Sequence, residues 1–294
     1  MRKITKAVIP AAGLGTRMLP ISHAVPKEML PIVDLPAVAY LVEEAAKSGI
    51  TDILIITGRD KDAIEDFFDY SPEYEAALSA KGRGDAVAAL RSFADLANVT
   101  FLRQKEARGL GHAVARARAF VGDEPFAVLY GDDVIFSRTP VVRQLIDAYE
   151  KYGRPVVGVK RVSPEWLCKY SSLKVTPVPG DPAAFFCDDM IEKPKPGEEF
   201  SDLSVLGRVL LTPDVFDILD ALKPGAGGEI QLTDAMAKIA RERGITALEF
   251  EGERFDMGSK VGFLQANVVA GVSHPETGAE FRAFLKRFVA EMDE

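Results

Sequence analysis

A glycine-rich segment followed by two cations has the residue types that bind a polyphosphate. Residues 7–9 have the character of a buried strand, and residues 10–31 read PAAGLGTRMLPISHAVPKEMLP. Gly13 and Gly15 let the backbone approach a ligand closely, because glycine has no side chain. Arg17 and Lys27 add positive charge just beyond the turn. The segment therefore predicts a site for a phosphorylated ligand.

This segment differs from the two best-known phosphate loops. GLGTRM contains the first two glycines of the GxGxxG fingerprint, but Met18 stands where the third glycine packs helix against strand. No GK[ST] follows at the spacing of a P-loop. A dinucleotide fingerprint and a P-loop are therefore both disfavoured.

Two aspartates are candidate ligands for Mg²⁺, which prefers oxygen atoms and keeps contact with substrate phosphates. Asp132 lies in the GDD triplet after a predicted strand, where open α/β sheets bind ligands. The triplet alone is more typical of a turn, but beside the glycine-rich segment it favours metal binding. Asp256 in RFDMGSK is the second candidate, although alone it is more typical of a helix N-cap.

The segment QKEARGLGHAV, at residues 104–114, places an amide and two glycines after another predicted strand. An amide offers both a donor and an acceptor, which matches the imide edge of uracil or thymine. Because an amide can flip, Gln104 does not fix the base unaided. Gly109 and Gly111 either bring backbone to the ligand or only permit close packing, and the sequence leaves both readings open.

The segment IEKPKPG, at residues 191–197, closes a predicted strand with an acid beside a base. Neighbouring strand residues point to opposite faces, but a turn beginning at the proline can bring both side chains to one ligand. Glu192 can then accept hydrogen bonds from sugar hydroxyls while Lys193 holds a phosphate. The alternative is a solvated charged turn.

Composition narrows the class of protein. The 294 residues carry a net charge of -8, which argues against non-specific binding to nucleic acid. No stretch approaches the roughly 20 apolar residues of a membrane span, and Pro10 interrupts the only apolar run that resembles an export signal. Two widely spaced cysteines, Cys168 and Cys187, predict reduced thiols and a cytoplasmic protein.

The elements that must position these residues alternate between strand and helix in the first half of the chain. Such alternation predicts a parallel sheet covered by helices. Beyond residue 155 the strands have turn-rich connections, which predicts a mixed region of the sheet. The predicted strands are residues 7–9, 52–57, 99–103, 126–130, 156–162, 173–178, 185–192 and 205–211. The predicted helices are residues 38–48, 60–68, 111–121, 214–222, 232–243, the region from 260 to the C-terminus, and helices within 71–98 outside the sheet.

Six motifs, in this order, resemble bacterial UTP–glucose-1-phosphate uridylyltransferases, also called UDP-glucose pyrophosphorylases, of the sugar nucleotidylyltransferase family. They are GLGTRMLP, PKEMLPIVD, GLGHAV, IEKPKPG, GEIQLTDA and FDMGSK, and the resemblance extends over about residues 6–270. PKEMLP and GEIQLTDA look specific to this group, whereas GLGTR and EKP are shared with relatives of other specificity. The resemblance implies a Rossmann-like, mixed but mostly parallel sheet flanked by helices, of the nucleotide-diphospho-sugar transferase type. The sequence has no internal repeat and no low-complexity linker, which predicts one domain over residues 1–294 with a helical segment from about 259.

The resemblance also implies roles for individual residues. The catalytic cations, which meet the phosphates, are Arg17, Lys27 and Lys193. The nucleotide-binding residues are Ala11, Ala12, Gly13, Gly15, Gln104 and Gly109. The metal ligands are Asp132 and Asp256, with Mg²⁺ as the cofactor. The sugar-binding residues are Glu192 and Ser171.

Two departures from the family pattern stand out. Such enzymes usually have Tyr-Gly and two aliphatic residues at the sugar pocket, where this chain has Tyr170, Ser171, Ser172 and Leu173. Ser171 adds a Cβ and a hydroxyl where backbone is expected to approach the sugar. GDD also replaces the more usual proline-aspartate, although Asp132 keeps its position.

The activity implied is transfer of the uridylyl group of UTP to glucose-1-phosphate, giving UDP-glucose and pyrophosphate by Mg²⁺-assisted in-line displacement at the α-phosphorus. Alternatives are the use of dTTP or another sugar-1-phosphate, a non-catalytic nucleotide-binding paralogue and, more distantly, an NAD-dependent dehydrogenase. The combination of Lys27, Asp132, Lys193 and Asp256 favours catalysis over mere binding. The resemblance further implies a homodimer or homotetramer. An apolar stripe in residues 275–292 packs either on its own domain or on another subunit.

Overall fold

A nine-stranded sheet forms the centre of the protein in a computed structural model, which describes residues 3–292. Its strand order is β5-β4-β1-β6-β11-β8-β12-β10-β9. Seven strands run in one direction, and only β11 and β10 run against their neighbours. The predicted mixed but mostly parallel sheet flanked by helices is confirmed. The bounds of these nine strands are β1 Lys6–Pro10, β4 Asp52–Thr57, β5 Asn98–Arg103, β6 Phe126–Leu129, β8 Val156–Arg161, β9 Ser171–Val178, β10 Asp181–Glu192, β11 Leu203–Leu211 and β12 Ile245–Glu249.

Two small antiparallel ladders lie outside the main sheet. One joins β2 to β3, and the other joins β7 to β13. Their bounds are β2 Pro31–Ile32, β3 Leu35–Pro36, β7 Asp133–Phe136 and β13 Glu253–Asp256.

Helices cover both faces of the sheet, because successive residues of a central strand point to opposite sides. On β1, Ala7 and Ile9 pack into one apolar cluster with α1 and α7, while Val8 packs into the other with α5, α9 and α10. The helices are α1 Ala37–Lys47, α2 Asp62–Phe68, α3 Pro72–Ala80, α4 Gly84–Ala94, α5 Leu110–Ala115, α6 Arg118–Val121, α7 Val141–Tyr152, α8 Pro164–Leu167, α9 Val215–Ala221, α10 Leu232–Arg243, α11 Lys260–Ser273 and α12 Gly278–Met292.

The carboxyl ends of four neighbouring strands create the edge on which the candidate site lies. β5, β4, β1 and β6 are adjacent and parallel, so the loops that follow them emerge together. Ligands bind at this edge in open α/β sheets. The glycine-rich loop, residues 11–18, follows β1, and the GDD turn follows β6.

Two predicted helices are divided in the structure. Residues 111–121 form α5 and α6 rather than one helix, and the C-terminal region is interrupted between α11 and α12. The elements β7, α7 and β12 were not predicted. The strands β7 and β12 are short, with four and five residues, whereas α7 was overlooked although its 12 residues carry a clear apolar face. Among residues 3–292, no helix is both long and apolar enough to cross a membrane.

Candidate active site

The glycine-rich loop lies close to the GDD turn because Gly131 has no side chain. Gly15 adopts a left-handed conformation with φ of 66°, which glycine tolerates best. A Cβ on Gly131 would stand 2.5 Å from the carbonyl oxygen of Pro10, so the GDD turn touches the end of β1. This close approach places Asp132 beside the loop.

Asp132 and Asp256 are brought together by the small β7–β13 ladder. In that ladder Asp256 pairs with Asp133, and the backbone N–H of Met257 donates to the carbonyl oxygen of Asp132 at 2.8 Å. A Cβ on Gly258 would lie 2.7 Å from Asp132 Oδ2 and 3.0 Å from Asp256 Oδ1. The two carboxylates therefore face one small space.

Arg17 and Lys27 neutralise this pair of acids. The guanidinium of Arg17 reaches Asp256 Oδ2 at 2.8 Å and Asp132 Oδ2 at 3.5 Å, while Lys27 Nζ donates to Asp132. Burial alone would raise the pKa of Asp132, but Lys27 and Arg17 outweigh it and hold that pKa below its usual value. Asp132 is therefore a carboxylate at neutral pH.

The two acids fit a divalent cation that also touches the ligand. They supply oxygen atoms facing one space, and Arg17 shows that a cation is accommodated against both. Among residues 3–292, no group of three or more histidine, cysteine, aspartate or glutamate side chains could hold a metal ion. A two-carboxylate site matches Mg²⁺, which keeps waters and substrate phosphates among its ligands.

The glycine-rich loop borders a cavity of about 630 Å³, which we call the loop cavity. Its lining includes Gln104, which is 7% exposed and lies beside His112. The amide Nε2 of Gln104 lies 2.7 Å from His112 Nδ1 and donates to the carbonyl oxygen of Gly109 at 3.4 Å. Both contacts orient the amide so that its oxygen is left as an acceptor. The sequence-predicted nucleotide residues that line the loop cavity are Ala12, Gly13, Gly15, Gln104 and Gly109.

Ala11 lies at the base of the same loop and is 1% exposed. Its backbone N–H donates to the carbonyl oxygen of Ile56 on β4 at 2.8 Å. This bond extends the β1–β4 pairing by one residue, so the N–H of Ala11 is hydrogen-bonded within the sheet.

The two glycines of GLGHAV pack tightly against the segment GEIQ. A Cβ on Gly109 or on Gly111 would stand within 2.8 Å of the carbonyl oxygen of Ile230. The N–H of Gly111 donates to that same oxygen at 2.8 Å. Close packing accounts for Gly111, whereas Gly109 both packs closely and lines the loop cavity.

A second cavity, of about 1070 Å³, lies on the other side of the paired acids, and we call it the outer cavity. Its lining includes Lys193, Tyr170 and Arg254. Arg254 donates to Asp133 Oδ1 at 2.7 Å and to the hydroxyl of Tyr170 at 3.3 Å. Trp166, the single tryptophan of the chain, lines the same cavity.

The EKP segment brings its acid and base to neighbouring positions. Lys193 has a positive φ of 49°, and its Nζ lies 4.0 Å from Glu192 Oε1. Glu192 accepts a hydrogen bond from the hydroxyl of Thr233 at 2.7 Å. Burial raises the pKa of Glu192, and Thr233 and Lys193 oppose that shift. The turn therefore presents Lys193 to the outer cavity while Glu192 is held against α10.

Ser171 is directed into the protein interior. The residue is 3% exposed, and its hydroxyl lies 3.3 Å from the hydroxyl of Ser204 and accepts from the N–H of Val205 at 3.1 Å. The serine that replaces the usual glycine after Tyr170 is thus accommodated, because its hydroxyl forms hydrogen bonds with residues of β11. Tyr170 lines the outer cavity, whereas Ser171 is not among its lining residues.

Sequence reasoning missed several residues that support the site, namely Lys61, His112, Asp133 and Arg254. His112 lies inside the GLGHAV motif, and Arg254 precedes the FDMGSK motif, so both positions were marked by the motifs themselves. Lys61 follows β4, at the same sheet edge as the other loops.

Comparison with known proteins places these observations in a family. Residues 6–270 match the family model described as Nucleotidyl transferase. A UTP–glucose-1-phosphate uridylyltransferase of Bacillus subtilis is 50% identical over 285 residues, which cover 97% of this chain and 95% of that protein. A UDP-glucose pyrophosphorylase crystallised with UDP-glucose is 40% identical, with a TM-score of 0.82 over 91% of this chain and 98% of its own. A UTP-bound enzyme of the same kind from Acinetobacter baumannii is 35% identical, with a TM-score of 0.88 over 96% and 99% of the two chains.

Proposed function

The chain belongs to the nucleotidyl transferase family, and we propose that it transfers the uridylyl group of UTP to glucose-1-phosphate, forming UDP-glucose and pyrophosphate. The observation that carries this proposal is the position of Asp132 and Arg17, which line both the loop cavity and the outer cavity. Reacting groups from two ligands therefore meet at the paired acids and their cations.

The reaction needs charge neutralisation more than proton transfer. A phosphate monoester has a second pKa of about 6, so the attacking oxygen of glucose-1-phosphate is largely ionised at neutral pH. The barrier is chiefly repulsion between this dianion and the triphosphate. Lys27 and Arg17 on the loop side and Lys193 on the outer side supply the opposing charge and align the two ligands.

Asp132 and Asp256 are the residues that would hold Mg²⁺. When bound, Mg²⁺ acts as a Lewis acid and a template for the phosphates. Lys27 keeps Asp132 ionised and ready to coordinate, because its ammonium donates directly to that carboxylate. Arg17, which lies against both acids, is the cation that a metal would displace.

Recognition of the base rests on Gln104. Its amide nitrogen is engaged by His112 and Gly109, so its oxygen can accept the N3–H of uracil. Cytosine has an unprotonated, acceptor nitrogen at N3. Two acceptors would then face each other, so the Gln104 oxygen would repel cytosine. Burial, followed by the nearby charges of Arg108 and Arg116, lowers the pKa of His112 and keeps its imidazole neutral at pH 7. A neutral Nδ1 can accept from the amide.

Recognition of the sugar is assigned to the EKP segment. Lys193 lines the outer cavity and can hold the sugar phosphate there. Glu192 precedes it and has one carboxylate oxygen bound by Thr233, so its other oxygen is the one that can accept from a glucose hydroxyl. The inward direction of Ser171 removes the steric reason to expect a different sugar.

The proposed assembly is a homodimer or homotetramer. Phe284 and Phe288 of α12 stack on one another and are 44% and 45% exposed. A second subunit that covered this face would remove apolar surface from water. Light scattering coupled to size-exclusion chromatography tests the assembly directly.

The proposed compartment is the cytoplasm. Cys168 is exposed, Cys187 is buried, and both are free thiols. Reduced cysteines fit a reducing compartment. The activity itself is tested by the release of pyrophosphate from UTP and glucose-1-phosphate in the presence of Mg²⁺.

A further inference from the structure

The ammonium group of Lys61 is buried beneath the glycine-rich loop, and three oxygen atoms surround it. Lys61 is 7% exposed. Its Nζ donates to Glu28 Oε2 at 2.8 Å, to the carbonyl oxygen of Gly13 at 2.9 Å, and to the carbonyl oxygen of Ala11. An ammonium group has three N–H donors. Each of the three therefore has one acceptor, and two of these acceptors belong to the loop backbone.

Glu28 connects this arrangement to the cation that meets the phosphates. It is fully buried and follows Lys27 directly in a turn of 3₁₀ helix, Lys27–Met29. Lys61 itself follows β4. The Lys61–Glu28 ion pair thus joins three separate segments at one point: the glycine-rich loop, the turn that carries Lys27, and the loop after β4.

The carbonyl contacts fix the direction of the neighbouring N–H groups. In a planar trans peptide, the C=O of one residue and the N–H of the next point in opposite directions. With the carbonyls of Ala11 and Gly13 turned towards Lys61, the N–H groups of Ala12 and Leu14 are turned away from it. Both Ala12 and Leu14 line the loop cavity.

The ion pair is costly to bury, so its presence calls for a role other than stability. Burial lowers the pKa of Lys61 and raises that of Glu28, and each partner opposes the shift of the other. A buried ion pair is often no more stabilising than apolar residues of similar size.

We propose that Lys61 is a positioning residue for nucleotide binding: it holds the carbonyls of Ala11 and Gly13 back from the ligand and turns the N–H groups of Ala12 and Leu14 towards it. Without Lys61, these carbonyl dipoles are free to rotate towards the triphosphate and repel it. The inference rests on the proposed function only in taking UTP as the ligand.

The test compares Lys61→Met with a matched variant, Lys6→Met. Lys6, at the start of β1, forms an ion pair with Glu124 at 2.8 Å and donates to the carbonyl oxygen of Val121 at 3.1 Å. Lys6→Met thus removes an ion pair and a carbonyl contact, as Lys61→Met does. It does so at the amino-terminal end of β1, whereas the glycine-rich loop follows the other end. Calorimetry with UTP and Mg²⁺ gives the dissociation constant, and thermal unfolding gives the stability.

We expect Lys61→Met to weaken UTP binding roughly 10- to 100-fold, by analogy with the loss of a partner that orients the groups in direct contact with a ligand. Lys61→Arg, which keeps the charge, should recover part of that loss. Lys6→Met should bind UTP within about twofold of the parent. In turnover, Lys61→Met should raise the KM for UTP far more than the KM for glucose-1-phosphate at saturating UTP, a difference that general destabilisation does not produce.

Equal affinity of Lys61→Met and the parent for UTP overturns the inference and leaves the proposed function intact. An equal loss of UTP affinity in Lys6→Met also overturns it, because the effect would then follow from stability. If the parent binds no UTP, the proposed function fails and the inference fails with it. Should Lys61→Met not fold, Lys61→Gln takes its place, with a loss of about tenfold expected, and unchanged affinity again contradicts the inference.

Discussion

The guanidinium of Arg17 donates to the carboxylate of Asp256 at 2.8 Å, and the same group lies 3.5 Å from Asp132. One cation thus lies against both proposed metal ligands. If these two acids hold Mg²⁺, as proposed, the metal would take the place of Arg17 on them. Such an exchange would leave Arg17 free to meet the triphosphate.

Replacing Arg17 by methionine should strengthen metal binding in the absence of nucleotide. We expect the affinity for Mn²⁺, used as a probe, to rise roughly three- to tenfold, in line with the loss of two partly exposed ion pairs. Pyrophosphate release should fall in the same variant, because a phosphate-binding cation is lost. Arg143→Met, which removes an exposed pair with Asp147, should change neither quantity. Weaker or unchanged Mn²⁺ binding in Arg17→Met would count against the exchange.

Replacing Lys193 by alanine should damage use of the sugar phosphate. The expected loss in kcat/KM for glucose-1-phosphate is about 100-fold, or about 3 kcal/mol, by analogy with the loss of one charge-stabilising donor. Lys195, two residues further along the same segment, is exposed and provides the control. Steady-state assays with Lys193→Ala and Lys195→Ala measure the difference. Turnover of Lys193→Ala at the parental rate would remove this residue from the mechanism.

Discrimination between UTP and CTP should depend on the neutral form of His112. Burial, Arg108 and Arg116 lower its pKa below the ordinary 6.5, so the ring is neutral above that pH and becomes charged only in more acidic solution. The charged ring cannot accept from the Gln104 amide. The preference for UTP should therefore be constant from pH 8 to about pH 6.5 and decline below it.

The matched variants for this prediction are His112→Phe and His274→Phe. His112→Phe should show a weak preference for UTP at every pH, because the amide then keeps only its long contact, 3.4 Å, with the carbonyl oxygen of Gly109. His274 lies 3.3 Å from Asp34, at the end of α11, and its loss should leave the pH profile unchanged. An unaltered UTP preference in His112→Phe would refute the assignment.

The fully buried Arg208 and its partner Glu44 make a separate prediction about stability. Arg208 donates to both carboxylate oxygens of Glu44, at 2.7 Å and 3.0 Å, and Glu44 also accepts from the N–H of Val142. Arg208→Met leaves a buried charge unpaired and should lower the free energy of unfolding by about 3–5 kcal/mol. The double variant Arg208→Met/Glu44→Met should be more stable than the single one. Urea unfolding measures both, and a single variant within about 1 kcal/mol of the parent would contradict the prediction.

Much of the fold follows from local signals. The bounds of α10 were predicted in full, because its apolar periodicity ends at Gly244, which has a φ of 79°. The strand β4 was predicted equally well from its β-branched run between polar residues. The ladder of β7 and β13 could not be foreseen, because each strand has four residues and the pairing spans more than 100 positions of sequence.

The candidate site, like the fold, was predicted from the sequence only in part. Arg17, Lys27, Asp132 and Asp256 were selected by residue type and motif, and the fold brings them together. That Arg17 would lie against both acids depends on the tertiary structure, since Asp256 is 239 residues away. The inward direction of Ser171 depends likewise on Ser204, a partner on another strand. Motifs therefore identify the reactive groups, while their mutual contacts come from the fold.

The most direct test of the proposed activity is pyrophosphate release from a panel of nucleotides and sugar-1-phosphates in the presence of Mg²⁺, with identification of the sugar nucleotide. We expect UTP and glucose-1-phosphate to give pyrophosphate and UDP-glucose in equal amounts, faster than any pair with dTTP, CTP or another sugar-1-phosphate. Asp256→Asn should slow this reaction by about 100-fold or more. Absence of pyrophosphate from UTP and glucose-1-phosphate, with rapid turnover of another pair, would contradict the proposed function.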